Sequence, residues 1–118
     1  MALRFEGVWE GVTQDRRAGR LARFTYVADG AVVCKIEFGD LGSKTQQDVA
    51  DFAEGKPRAH SLLFKASDGG VGLLREKNEV VLVVERFDDT LATMELRLPA
   101  RCCQQALDEF VAFMEPTE

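Results

Sequence analysis

From Glu79 to Met114 the chain reads EVVLVVERFDDTLATMELRLP and then ARCCQQALDEFVAFM, an apolar hairpin that runs directly into an amphipathic helix. Val80, Leu82 and Val84 point one way from an extended chain and Val81 and Val83 the other, so this strand needs cover on both faces. That places it in the middle of a sheet. Its partner, Ala92 to Leu98, is one-sided, with Met94, Leu96 and Leu98 opposed to Thr93, Glu95 and Arg97. Pro99 is expected at the first helical position, where no amide proton is needed. Beyond it Cys103, Ala106, Leu107, Phe110, Val111 and Met114 recur at helical spacing, an apolar stripe that a sheet must cover.

The preceding elements follow the same logic. Leu3, Phe5, Val8 and Trp9 alternate with charged residues, and Gly7 and Gly11 suggest a bulged strand over residues 3 to 13. RLARFTYV and AVVCKIEF form a hairpin about Ala28-Asp29-Gly30. A three-residue loop with glycine last is expected, setting Tyr26 by Val32, Phe24 by Cys34 and Ala22 by Ile36. Ser43-Lys44-Thr45-Gln46 has the form of a capping box and opens a short helix, about residues 44 to 54. Val49, Phe52 and Ala53 form its apolar face, and Gly55 and Pro57 stop it. Strands AHSLLFKA and VGLLRE follow, with turns at Ser67 to Gly70 and at Glu76-Lys77-Asn78.

At 118 residues and 46% hydrophobic composition, one domain spanning residues 1 to 118 is expected, with no disulfide or metal needed to hold it. The start has no continuous apolar run, which speaks against a membrane span. Cys34, Cys102 and Cys103 cannot all pair within one chain, and free thiols fit a cytoplasmic location. The net charge is -5, and all of the acidic excess lies after residue 60. Such a chain is repelled by phosphate unless it carries a local basic patch.

Gln46-Gln47-Asp48-Val49-Ala50-Asp51-Phe52-Ala53 resembles Gln104-Gln105-Ala106-Leu107-Asp108-Glu109-Phe110-Val111. At the same offset Phe24 meets Leu82, Tyr26 meets Val84 and Ile36 meets Met94. A pseudo-repeat of residues 1–58 and 59–118 is therefore considered. Two strand-rich units that each end in a helix resemble, in element order, the Whirly and Pur-type single-stranded nucleic-acid-binding domains. That resemblance implies a sheet surface offering cations to the strand, here Arg16, Arg17, Arg20, Arg23 and Lys35. None of the sequence motifs of those families is present.

Candidate chemistry is sparse. Arg16, Arg17, Arg20 and Arg23 form the one basic cluster, a site for nucleic acid or an acidic partner, though a solvated strand face is the plainer account. Cys102, beside Arg101 at the start of the last helix, is the redox candidate, because amide dipoles there stabilise a thiolate. Cys103 reads as a small core residue. His60 is the sole histidine and has no nucleophile motif near it. Asp68-Gly69-Gly70-Val71-Gly72 lacks the lysine of a phosphate loop and reads as a hairpin turn. No catalytic residue, metal site or cofactor is assigned. Trp9, Val81 and Val83 are interface candidates, since a second apolar sheet face must meet another element or a second subunit.

The expectation is an α+β chain: an antiparallel sheet of six to seven strands, a short middle helix and a C-terminal amphipathic helix packed across the sheet. Functionally it is a non-enzymatic binding or protein-interaction module, with a homodimer and an unidentified protein partner. Single-stranded nucleic-acid binding is the first alternative, and a small enzyme or ligand-binding protein with an unmarked pocket is the second.

Overall fold

The computed structural model describes residues 2–9, 20–39, 44–66, 69–86 and 92–115, with the backbone alone at 8, 9, 20 and 66. The elements are β1 (Ala2–Trp9), β2 (Arg20–Ala28), β3 (Ala31–Phe38), α1 (Gln46–Ala53), β4 (Ser61–Ala66), β5 (Gly69–Glu76), β6 (Glu79–Arg86), β7 (Ala92–Pro99) and α2 (Gln104–Phe113). A 3-10 turn, Ala100–Cys102, joins β7 to α2. The fold is α+β. Two antiparallel meanders, β1-β2-β3 and β4-β5-β6-β7, are each followed by a helix. The two helices start 58 residues apart, at Gln46 and Gln104.

In the first sheet the inner face carries Leu3, Phe5 and Gly7 on β1, Ala22, Phe24 and Tyr26 on β2, and Cys34, Ile36 and Phe38 on β3. The β2–β3 hairpin corrects the expected register. Asp29 and Gly30, both at positive φ, make a two-residue turn that pairs Ala28 with Ala31 and Val27 with Val32. A bulge at the next step then sets Tyr26 opposite Cys34, Phe24 opposite Ile36 and Ala22 opposite Phe38. From Cys34 onward the slip from the expected pairing is two residues, so those side chains keep their faces, whereas Val32, expected beside Tyr26, lies opposite Val27 on the other face.

No bulge occurs at Gly7, where β1 pairs in unbroken register with β2. The glycine is needed for space: a Cβ there would run into the ring of Phe113, which lies over the strand. Residues 10–13, assigned above to the same strand, lie outside the described residues.

The helix N-terminus is also shifted from expectation. Thr45, not Ser43, is the N-cap of α1, and Asp48 completes the capping box. Ser43 lies outside the described residues. Val49, Phe52 and Ala53 are buried as the spacing predicts, and Gly55 ends the helix at φ 73°.

In the second sheet β6 is central, and Val80, Val81 and Leu82 are fully buried. Pro99 is not the first residue of a helix. It is extended and still paired with Glu79, because the β6–β7 ladder runs on to Ala100, whose amide donates to the Asn78 carbonyl. The chain then reverses in the tight 3-10 turn, and α2 begins at Gln104.

Helix α2 lies against β1 and α1, so its cover comes from the first half of the chain. Phe110 is at its centre, stacked on Phe5 with ring centroids 5.0 Å apart and edge-on to Phe24 at 5.6 Å. It also meets Phe64 of β4 at 6.2 Å, while Phe38 and Phe64 join the two sheets at 4.7 Å. One cluster of buried side chains thus runs through both sheets and both helices.

Candidate functional site

Each sheet has one face turned away from this core, and the two outer faces differ in chemistry. On the first sheet, Arg23 of β2 reaches sideways to both neighbouring strands. Its Nη1 donates to Glu6 at 3.0 Å and its Nε to Glu37 at 2.7 Å. The two carboxylates, Glu37 foremost, raise the guanidinium pKa above its ordinary value and engage its Nε and Nη1. The next row holds Arg4, Thr25 and Lys35 in register across the three strands. Arg4 and Lys35 are exposed and make no ion pair among the described residues.

The expected basic cluster is therefore brought together only in part. Arg23 and Lys35 share this face, but Arg23 is committed to Glu6 and Glu37. Arg16 and Arg17 lie outside the described residues. Arg20 is placed by its backbone on β2, opposite Trp9 of β1, and these are described no further.

The outer face of the second sheet has an apolar centre bordered by charged residues. Leu63 of β4, Gly72 of β5, Val83 of β6 and Glu95 of β7 form one row, and Ser61, Leu74, Val81 and Arg97 the next. Arg97 reaches back across β6 to Glu76 of β5 at 2.7 Å and also contacts Glu95 at 3.1 Å. Val81, between Leu74 and Arg97, is wholly buried by this strap, and Val83 is only 8% exposed. Of the expected interface residues, neither Val81 nor Val83 presents useful surface to a second subunit, and the Trp9 side chain lies outside what is described. The exposed apolar group is Leu63, at 43%.

Two glycines shape the rest of that face. Gly70 and Gly72 lie inside β5, which corrects the reading of the glycine run as a turn; residues 67–68 lie outside the described residues. A Cβ on Gly72 would sit 3.1 Å from the Leu63 Cδ2, and one on Gly70 2.9 Å from the Phe64 carbonyl oxygen. With no side chains there, β5 forms the floor of a trough of about 130 Å³, walled by Leu63, Leu74 and Val83, with Lys65 and Glu85 at one end. Glycines at i and i+2 of a strand were the available sequence signal for it.

A larger cleft of about 540 Å³ lies between α1 and the start of β4, lined by Lys44, Asp48, Asp51, Lys56 and Arg58 among others. Its carboxylates are already engaged. Asp48 accepts from the Thr45 amide at 2.9 Å, which with the Thr45 hydroxyl holds its pKa below the ordinary carboxylate range. Asp51 accepts from Lys56 at 3.0 Å and Gln47 at 2.7 Å, and its pKa is lowered for those reasons.

The cysteines are free thiols. Cys102 is half-buried in the 3-10 turn, not in the first turn of an α-helix. Cys103 is buried, its Sγ 3.6 Å from the Pro99 carbonyl, and desolvation pushes its pKa up to about 11. It is a neutral core thiol at ordinary pH. His60 is exposed, and among the described residues no group of three His, Cys, Asp or Glu side chains could hold a metal ion.

The chain matches no protein-family model, and comparison with curated proteins and with solved structures gives no match. Among the described residues no helix is long and apolar enough to cross a membrane.

Proposed function

We propose that this chain is a non-enzymatic protein-binding module, and that the outer face of its four-stranded sheet is the contact surface. The trough between Leu63 and Val83 carries this reading. Small-molecule sites enclose roughly 300–1,000 Å³, whereas about 130 Å³ accommodates one apolar side chain. Such a hole in a flat sheet, with Lys65 and Glu85 at its end, suits a projecting residue of another protein. The net charge of -5 favours a partner with a basic surface. A homodimer and a cytoplasmic location belong to the same reading.

The test is a comparison of wild type with Leu63→Asp, which alters an exposed residue and is expected to leave the fold intact. A partner recovered with the wild-type chain should bind the variant at least tenfold more weakly by calorimetry. Equal binding to both would remove the trough from the contact surface.

Single-stranded nucleic-acid binding is the second reading, supported by the exposed Arg4 and Lys35 on the first sheet and by the order of strands and helices. Fluorescence anisotropy with labelled single strands at low salt separates the two. Binding that falls steeply with salt and is lost in Arg4→Ala/Lys35→Ala would put this reading first.

A further inference from the structure

Among the described residues, strand β7 pairs only with β6, and no strand lies on its other edge. Ala92, Thr93, Met94 and Glu95 are all exposed, and so is Arg97. Met94 is on the inner face, in line with the buried Leu98, yet is 56% exposed. We infer that two copies of this chain join antiparallel along β7, around a two-fold axis at Leu96, making one eight-stranded sheet from two four-stranded ones. The inference rests on the homodimer part of the reading above and is independent of the trough.

The register follows from hydrogen bonding and charge. Successive residues of an edge strand aim their amides alternately at the neighbour already present and outward, so only residues of like parity can pair across the axis. Centring the axis on Glu95 or on Arg97 sets like charges opposite each other, which is unfavourable. Centring it on Met94 leaves Arg97 without a partner on the strand.

On Leu96, Glu95 of each copy faces Arg97 of the other, Met94 faces Leu98, and Leu96 faces its own counterpart. The charged pairs lie on the outer face and the apolar pairs on the inner one. Both core layers then fall on the same side of the joined sheet.

The other edges are less suited. Arg4-Phe5-Glu6 on β1 and Lys35-Ile36-Glu37 on β3 have a similar order of charges. On β1, however, Leu3 is buried, Phe5 is stacked on Phe110 and Gly7 lies under Phe113. On β3, Ile36 and Phe38 are already buried and the strand is bulged. Strand β4 has Lys65 and no acid. An exposed apolar residue on the inner face, Met94, and opposite charges that match coincide only at β7 among these edges.

The experiment is sedimentation equilibrium of the full chain from tens to hundreds of micromolar, with circular dichroism as the check on folding. Glu95→Arg should weaken dimerisation roughly tenfold or more, as like-charge juxtaposition does. Arg97→Glu should do the same, the double exchange should recover most of the loss, and Lys35→Glu should have no effect. Because Arg97 also holds Glu76, a second measurement is needed. Leu96→Cys, with Cys34 and Cys102 changed to Ser, should form a disulfide-linked dimer on mild oxidation, whereas Thr93→Cys should not. A monomer throughout the range overturns the homodimer itself. A dimer that ignores the charge changes and does not cross-link through Leu96→Cys overturns the β7 edge alone.

Discussion

The first sheet buries its apolar side chains on one face, leaving Val27 and Val32 on an outer face that Arg23 ties to Glu6 and Glu37. The second buries apolar side chains on both faces, with Val81 buried on the outer one, which no helix among the described residues covers. The helices reverse the comparison. The better-covered sheet is followed by the short α1, whereas the longer α2, which follows the second sheet, is set against β1 and α1. Each half therefore supplies what the other lacks, and the molecule holds together through contacts that cross between them.

The most severe way to break that relation is Phe110→Ala. Phe110 is fully buried and touches rings from β1, β2, β3 and β4, so its loss opens a cavity against both sheets. The expected cost is about 3–5 kcal/mol by urea unfolding. Amide exchange should show protection falling together in β2 and β6. Loss confined to one sheet would mean that the halves are separable.

Next in size is Arg75→Ala. From the inner face of β5, Arg75 donates through Nε to the Phe52 carbonyl at 2.8 Å and through Nη2 to the Ala53 carbonyl at 2.9 Å, with its guanidinium over the Phe52 ring. It closes the C-terminus of a helix in the other half of the chain. Removing it leaves the Phe52 carbonyl with the Gly55 amide at 3.0 Å and the Ala53 carbonyl with Gln104 at 3.1 Å. A loss of about 1–3 kcal/mol is expected, with exchange accelerated first in α1.

Arg75 also shows where sequence stops being informative. A long cation at the end of VGLLRE looks like a surface residue, and the carbonyls it serves are 22 and 23 residues earlier. The two-faced β6 and the stripe of α2 were legible because burial on a strand or helix repeats at a fixed period. The same periodicity is blind to a two-residue slip, which is why the β2–β3 register was misjudged while the faces of Phe24 and Ile36 were assigned correctly. The stripe on α2 requires a cover without specifying which sheet provides it. For the trough, Gly70 and Gly72 carried the signal, but glycines so close to Ser67-Asp68 read first as a turn.

A smaller effect comes from Cys103, which has no counterpart ahead of α1. Burial raises its folded-state pKa from near 9 to about 11. The contribution of the neutral thiol is whole below about pH 9 and is lost as pH rises toward 11, because the unfolded chain releases the proton more readily. The extra alkaline loss should be on the order of 2 kcal/mol. It should appear as a steeper fall in stability between about pH 9 and about pH 11 in the wild type than in Cys103→Ala. Parallel curves would mean that the thiol is hydrated in the folded state.

The smallest expected effect concerns the ends of the helices. Helix α1 starts from a reciprocal cap: the Asp48 amide donates to the Thr45 hydroxyl oxygen at 3.2 Å, and the Thr45 amide donates to the Asp48 carboxylate at 2.9 Å. Helix α2 starts at Cys103 with no side-chain cap and depends on its buried stripe. Thr45→Ala should therefore cost about 1 kcal/mol. Asp48→Asn should cost less, since an amide oxygen can still accept. The Asp48 pKa is lowered in the folded state, so the advantage of the carboxylate over the amide is present above the ordinary aspartate range and is lost as pH falls through the lower folded value. Urea unfolding of wild type and Asp48→Asn should show a gap at neutral pH that narrows as pH falls below the ordinary aspartate range. A gap that stays constant would place the contribution of Asp48 in geometry alone, leaving the two helix starts less different in their electrostatics than the hydrogen bonds suggest.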